Sequence, residues 1–233
     1  MSVAAGDLSA ARLAARRSTW RMRAIVKAAP SFAGIIAMAM LDVSSGALPA
    51  SAAAAPDPRF AAFLAACLDG HRNPAVRSAA IAAAGFELVA DDAHPMLGNL
   101  MRVSRKEIAA AKEEDGFTGT AAAFRKSADG SDFYLVTTEL DMPETSEWKI
   151  SLLGCYLYDF AAEAPLEPAI VTAHFDEEPV EAVDEDGLAG QTWNVEKIEG
   201  VWDVRNTFIA KGSPAAAKTG FSGLLLKITS TRE

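Results

Sequence analysis

His71, His94 and His174 are the only imidazoles in the chain, and acid–base or metal chemistry near neutral pH would draw on them first. No two have the short spacing that sets two ligands on one face of a helix. His94 stands closest to carboxylates, with Asp91 and Asp92 just before it in a stretch without clear periodicity. Loops of this kind are where catalytic groups concentrate. An imidazole within reach of an acid is the minimum for general acid–base hydrolysis, so His94 with Asp91 and Asp92 is the candidate catalytic set. A G-x-S-x-G nucleophile elbow is absent from the sequence.

A second group is acidic. Asp176, Glu177, Glu178, Glu181, Asp184, Glu185 and Asp186 crowd one short segment that ends at Gly187. Hard cations take converging oxygen ligands, which makes Asp176, Glu177, Asp184 and Asp186 the candidate metal ligands. The continuation Leu188-Ala189-Gly190-Gln191 departs from the alternating acids and terminal Glu of an EF-hand loop. The expectation is therefore a solvated acidic loop with at most a loosely held divalent cation, and no organic cofactor. Gly212 to Thr219 has the outline of a phosphate-binding loop, with Ala217 before Lys218-Thr219. Pro214 lacks the N–H that such a loop aims at phosphate, and the segment falls between two expected strands, so a β-hairpin loop is expected instead.

Trp148, Tyr156, Tyr158, Trp193 and Trp202 all fall in expected strands, with Tyr134 beside them. If they share one sheet face they would line a cleft beneath a crossing helix, a site for a small apolar ligand.

These residues depend on a scaffold that local patterns outline. Asp57 and Pro58 cap a helix reaching about Leu68, and Asn73 and Pro74 repeat the signal for a second helix that stops at Gly85. Residues 69–73 are thus the turn of a helical hairpin. Lys106 to Glu114 reads as a short charged helical turn. From Phe117 the period changes to that of strands: 117–126 and 133–141 around a turn at 128–131, then 148–158, 191–196, 201–210 and 221–230, with a helix over 165–175. The resulting expectation is an α+β fold in which an N-terminal helical hairpin packs on an antiparallel sheet of about five or six strands with one crossing helix.

Cys67 lies on the apolar stripe with Phe60, Phe63, Leu64 and Leu68, and Cys155 lies in the apolar run 150–158. Both point inward, and a Cys67–Cys155 disulfide is expected. The tetrapeptide Leu64-Ala65-Ala66-Cys67 fits a lipobox, but a lipobox needs an export core directly before it, and Asp57, Pro58 and Arg59 interrupt that stretch. Acylation of Cys67 is not expected.

The export core is elsewhere. Ser31 to Leu41 is an uncharged, mostly apolar run, too short to span a bilayer, preceded by Arg12, Arg16, Arg17, Arg21, Arg23 and Lys27 and followed by small residues around Ala50-Ser51-Ala52. This pattern leads to the expectation of a signal peptide over 1–52, with Met22 as a second possible start and no transmembrane anchor. Its Ala-rich leader is similar to those of bacterial envelope proteins, which gives an address and no activity. Cleavage after Ala52 leaves one domain, 53–233, with sixteen basic and twenty-nine acidic residues, a net charge of −13. Such a charge argues against nucleic acid and anionic lipid as partners. The expected function is that of an exported, non-catalytic periplasmic or secreted module that binds a small apolar ligand or another envelope protein. The alternative is a small periplasmic hydrolase using His94 with Asp91 and Asp92.

Overall fold

A computed structural model describes residues 57–128, 130–143, 146 and 150–232. The expected signal peptide and its cleavage site, and Trp148 among the ligand-face candidates, lie outside the described residues.

Helix α1 (Pro58–Phe63) continues into a π-helical turn at Leu64–Leu68, and α2 (Pro74–Ala83) completes the hairpin. Asp57 accepts from the N–H groups of Arg59 and Phe60, and Asn73 from those of Ala75 and Val76. Each satisfies N–H groups that the first helical turn leaves without partners, and Pro in the first turn adds a preset φ. There follow β1 (Glu87–Val89), α3 (Pro95–Asp115), β2 (Thr118–Ala128), β3 (Ser131–Asp141), β4 (Ser151–Asp159), α4 (Pro168–Phe175), β5 (Glu181–Glu185), β6 (Leu188–Trp193), β7 (Val201–Ile209), α5 (Pro214–Thr219) and β8 (Gly223–Arg232).

All eight strands form one antiparallel sheet in the order β1-β2-β3-β4-β8-β7-β6-β5. It consists of two four-stranded meanders joined where β4 pairs β8. Alternate residues along each strand face opposite sides, and helices cover both. Under α1, α2 and α4 lie Leu135, Cys155, Leu157, Trp193, Val204, Leu226 and Ile228. Under α3 and α5 lie Ala123, Tyr134, Val136, Tyr158, Ile209 and Leu225. The α+β class and the antiparallel sheet are as expected, while the helical hairpin differs in detail, its first arm ending in a π-helical turn.

Four local expectations are corrected. The charged turn at 106–114 is the second half of a helix of 21 residues, started by Pro95 and closed by Gly116 at φ 74. The expected hairpin loop at 212–219 contains α5, capped by Ser213, whose hydroxyl accepts from Ala216 N–H. The acidic segment is not one loop: Glu181–Glu185 is the edge strand β5, and Asp186-Gly187, at φ 54 and 79, is its hairpin turn. Two positive φ angles in sequence are what a type I′ turn requires, and Asp-Gly supplies them. Together β1 and β5 raise the strand number above the expected five or six.

Candidate functional site

His94 is the N-cap of α3: its Nδ1 accepts from Met96 N–H at 3.2 Å. Its ring stacks on Phe160 at 4.6 Å and leans on Tyr134 at 5.4 Å. Asp91 is held by Arg105 through two bonds of 2.6 and 3.0 Å. The Arg105 hydrogen bonds, opposed by burial and helped by the Arg105 charge, draw the Asp91 carboxyl below its ordinary value. Among the described residues no hydrogen bond joins His94 to Asp91 or Asp92. Of the catalytic candidates, His94 is thus engaged in capping and Asp91 in ion pairing.

The candidate metal ligands are dispersed. Asp176 and Glu177 reach Lys197 at 3.0 and 3.4 Å, Asp184 lies on β5, and Asp186 is 3.7 Å from Lys218. Among the described residues no three His, Cys, Asp or Glu side chains are grouped as a metal would need. Of the other histidines, His174 packs edge-on against Phe60 and Phe175. His71 lies between two carbonyl oxygens, with Nδ1 2.9 Å from Leu68 and Nε2 2.9 Å from Glu199. A carbonyl only accepts, so the imidazolium form donates both bonds and the neutral form one. Either way the ring ties the helical hairpin to the loop before β7.

Cys67 and Cys155 form the expected disulfide, with Cα atoms 5.6 Å apart and both residues buried. It joins the π-helical turn to β4, a central strand.

The expected aromatic face divides in two. Trp193 is fully buried beneath α4, its Nε1 donating to Thr172 Oγ1 at 3.1 Å. Tyr156 and Tyr158 point to the opposite side of the sheet, and Trp202 is exposed at a bulge in β7. No single cleft gathers the four that are described, Tyr156, Tyr158, Trp193 and Trp202.

The face that carries Tyr156 and Tyr158 changes character along its strands. One row across the sheet reads Tyr134, Tyr158, Leu225, Thr207, Gly190. Its left part is covered by α3 and α5 through Leu97, Met101 and Ala215, and by Phe221 from the connection between α5 and β8. The next row reads Val136, Tyr156, Lys227, Arg205, Thr192, and the one after it Thr138, Gly154, Thr229, Asp203. In these two rows the side chains become hydroxyls, a phenol, two cations and a carboxylate.

Three features set this belt apart from an ordinary solvated face. Lys227 and Arg205 are directly opposite each other, an arrangement of like charges that destabilises a sheet. Lys227 is nonetheless only 6% exposed, with its ammonium 5.7 Å from the centre of the Tyr156 ring. Arg205 Nε donates to Asp203 Oδ2 at 2.9 Å, which fixes the guanidinium while its side chain stays 42% exposed. Finally, Asp203 Oδ1 and Thr229 Oγ1 are buried without any hydrogen-bond partner. A buried polar atom left unsatisfied costs about 1–3 kcal/mol. Gly154 is required here: a Cβ would meet Thr138 Oγ1 at 2.5 Å and the Tyr156 ring at 2.6 Å, so the ring lies across the glycine.

Sequence reasoning found Tyr156 and missed Lys227, Arg205, Asp203 and Thr229. The available signal was the breaks in two otherwise apolar strands, Lys227 within 224–228 and Asp203 and Arg205 between Val201 and Phe208. Comparisons with protein-family models, with curated proteins and with solved structures found no match.

Proposed function

We propose that this chain is an exported, non-catalytic module of the bacterial envelope that binds a small ligand or another envelope protein through the polar end of the β4-β8-β7 face. The observation that carries this reading is the half-exposed Arg205, fixed by Asp203, beside two buried polar atoms, Asp203 Oδ1 and Thr229 Oγ1, that have no hydrogen-bond partner. A sheet gains nothing from leaving those two atoms unsatisfied, and a bound group that meets the Arg205 guanidinium and supplies the missing hydrogen bonds removes that cost. The polar chemistry of these rows favours a polar ligand over an apolar one. The periplasmic or secreted address is supported by the signal-like leader and by a buried disulfide, a bond that persists in oxidising compartments.

Native mass spectrometry of the protein recovered from the envelope tests the reading. The expected result is a retained small molecule or partner chain that is lost from a Tyr156→Ala, Arg205→Gln double variant. A retained species indifferent to those substitutions, or none in either protein, overturns it.

A further inference from the structure

We propose that the Cys67–Cys155 disulfide is a redox switch. The bond holds Leu64–Leu68 as a π-helical turn, and its reduction returns that turn to α-helical register and shifts the start of β7 through His71. The sequence of the turn gives no local reason for a π-helix. Residues 60–68 hold four alanines and neither Gly nor Pro, a composition that favours the α form. A π-helical turn is rare and frequently marks a functional position. Burial does not select it either. Leu64 and Leu68, which continue the stripe of Phe60 and Phe63 in an α-helix, are left half-buried, while Ala66 and Cys67 take the fully buried places. Burying leucine removes more apolar surface from water than burying alanine, so a register chosen by burial alone would turn the leucines inward. What sets the segment apart is the covalent bond from Cys67 to β4, which fixes where the turn must pass.

Reduction removes that constraint. Two thiol exchanges with a dithiol open the S–S bond: the dithiol leaves as its own disulfide, and Cys67 and Cys155 each keep a proton as thiols. The π and α forms of one turn are then the two discrete states between which the bond selects. Passing from one to the other rotates Leu68 about the helix axis and carries its carbonyl along. That carbonyl is 2.9 Å from Nδ1 of His71, and Nε2 of the same ring is 2.9 Å from the carbonyl of Glu199. The neighbouring Arg72 meets the Glu199 carboxylate at 2.6 Å, so the hairpin turn grips Glu199 by backbone and side chain together. Strand β7 begins two residues later at Val201 and carries Asp203 and Arg205 of the candidate face. The switch goes beyond the binding role of that face and does not depend on it, because the movement is read whether or not a ligand binds.

The test compares amide-resolved NMR spectra of the isotope-labelled protein before and after treatment with dithiothreitol. Because both cysteines are buried, exchange waits on local opening of the hairpin, and complete reduction is verified by thiol alkylation. On reduction, residues 64–68 are expected to trade π-type for α-type medium-range contacts, with amide shifts at 199–203 and none along the β5–β6 hairpin. A Cys67→Ala, Cys155→Ala double variant should show the reduced pattern without reductant and ignore dithiothreitol. In His71→Ala, reduction should still convert 64–68 while the response at 199–203 is lost. Persistence of π-type contacts in the reduced protein and the double variant overturns the proposal and assigns the turn to Gly70, where a Cβ would meet Val76 at 2.5 Å. Unmoved amides at 199–203, or an equal response in His71→Ala, overturn the relay to β7. Global unfolding of the reduced chain overturns the switch, which requires two folded states.

Discussion

Arg59 acts on two carboxylates whose net shifts are opposite, although burial raises both. For Asp57, burial pushes the carboxyl up, but the Arg59 hydrogen bonds of 2.6 and 3.0 Å, its charge and the two backbone N–H donors together hold it below its ordinary 3.8. For Asp159, burial pushes the carboxyl up and prevails over the N–H groups of Ala161 and Ala162 and the more distant Arg59. The consequences for stability have opposite signs. The contribution of Asp57 is present above 3.8 and is lost as pH falls through its lowered value. That of Asp159 is present below 3.8 and is lost as pH rises through its raised value, so at neutral pH its buried charge weakens the fold. Asp57→Ala should therefore lower stability at pH 7 by about 1 kcal/mol, the usual cost of losing an N-cap. Asp159→Asn, which keeps an oxygen to accept from Ala161, should raise the thermal midpoint at pH 7, with the gain fading as pH falls toward 4. A lower midpoint for Asp159→Asn at pH 7 would contradict this assignment. The sequence showed Asp57 as a cap because Pro58 follows it; it gave no sign of Asp159, whose environment depends on a helix about a hundred residues away.

At the scale of elements, α3 and β5 show how one local signal can be hidden by another. Helix α3 begins with Pro95 and ends with Gly116, both ordinary boundary residues, yet His94 is an unusual cap and Gly98 interrupts the apolar spacing. If His94 caps, His94→Asn should retain stability and His94→Ala should lose about 1 kcal/mol in chemical denaturation. A catalytic imidazole would tolerate neither change without loss of activity, and equal stability of the two variants would argue against the cap. Strand β5 was concealed by its own charge. Glu181, Asp184 and Glu185 occupy three of its five positions, and all five are exposed. Acids on an edge strand repel a second edge, which prevents sheets from joining. Replacing these three residues with Thr should produce dimers or larger aggregates, visible by light scattering, while circular dichroism stays unchanged. At the opposite edge β1 achieves the same protection by brevity, with only three residues despite an exposed Leu88.

For the whole molecule, the Cys67–Cys155 bond links the helical layer to the middle of the sheet across 88 residues of chain. Closing a loop of that length restricts the unfolded ensemble by about 4–5 kcal/mol in the chain-entropy account. Reduction should shift the denaturant midpoint by a corresponding amount, and a shift below about 1 kcal/mol would assign the bond a redox or processing role in place of a stabilising one. Intact mass of the protein from the envelope, with thiol alkylation before and after reduction, should give a chain beginning near Ala53 that alkylates only when reduced. Among the described residues no helix is long and apolar enough to cross a membrane.

From the sequence alone came the α+β class, the capped helical hairpin, most of the central strands and the cysteine pairing. These follow from signals carried within a few residues: a cap beside its Pro, a period of two or 3.6, an apolar stripe that includes a cysteine. The candidate site is of another kind. Lys227 and Arg205 are 22 residues apart and Tyr156 is about 70 from Lys227, and they form one row only because β8 inserts between β4 and β7. A shift of one residue in either pairing would send these side chains to the opposite face. Trp193 illustrates the same dependence, since the register of β6 with β7 turns it into the core beneath α4, away from Tyr156. Local patterning therefore determined which elements form, and strand order and register, set by burial across the whole sheet, decided which side chains meet.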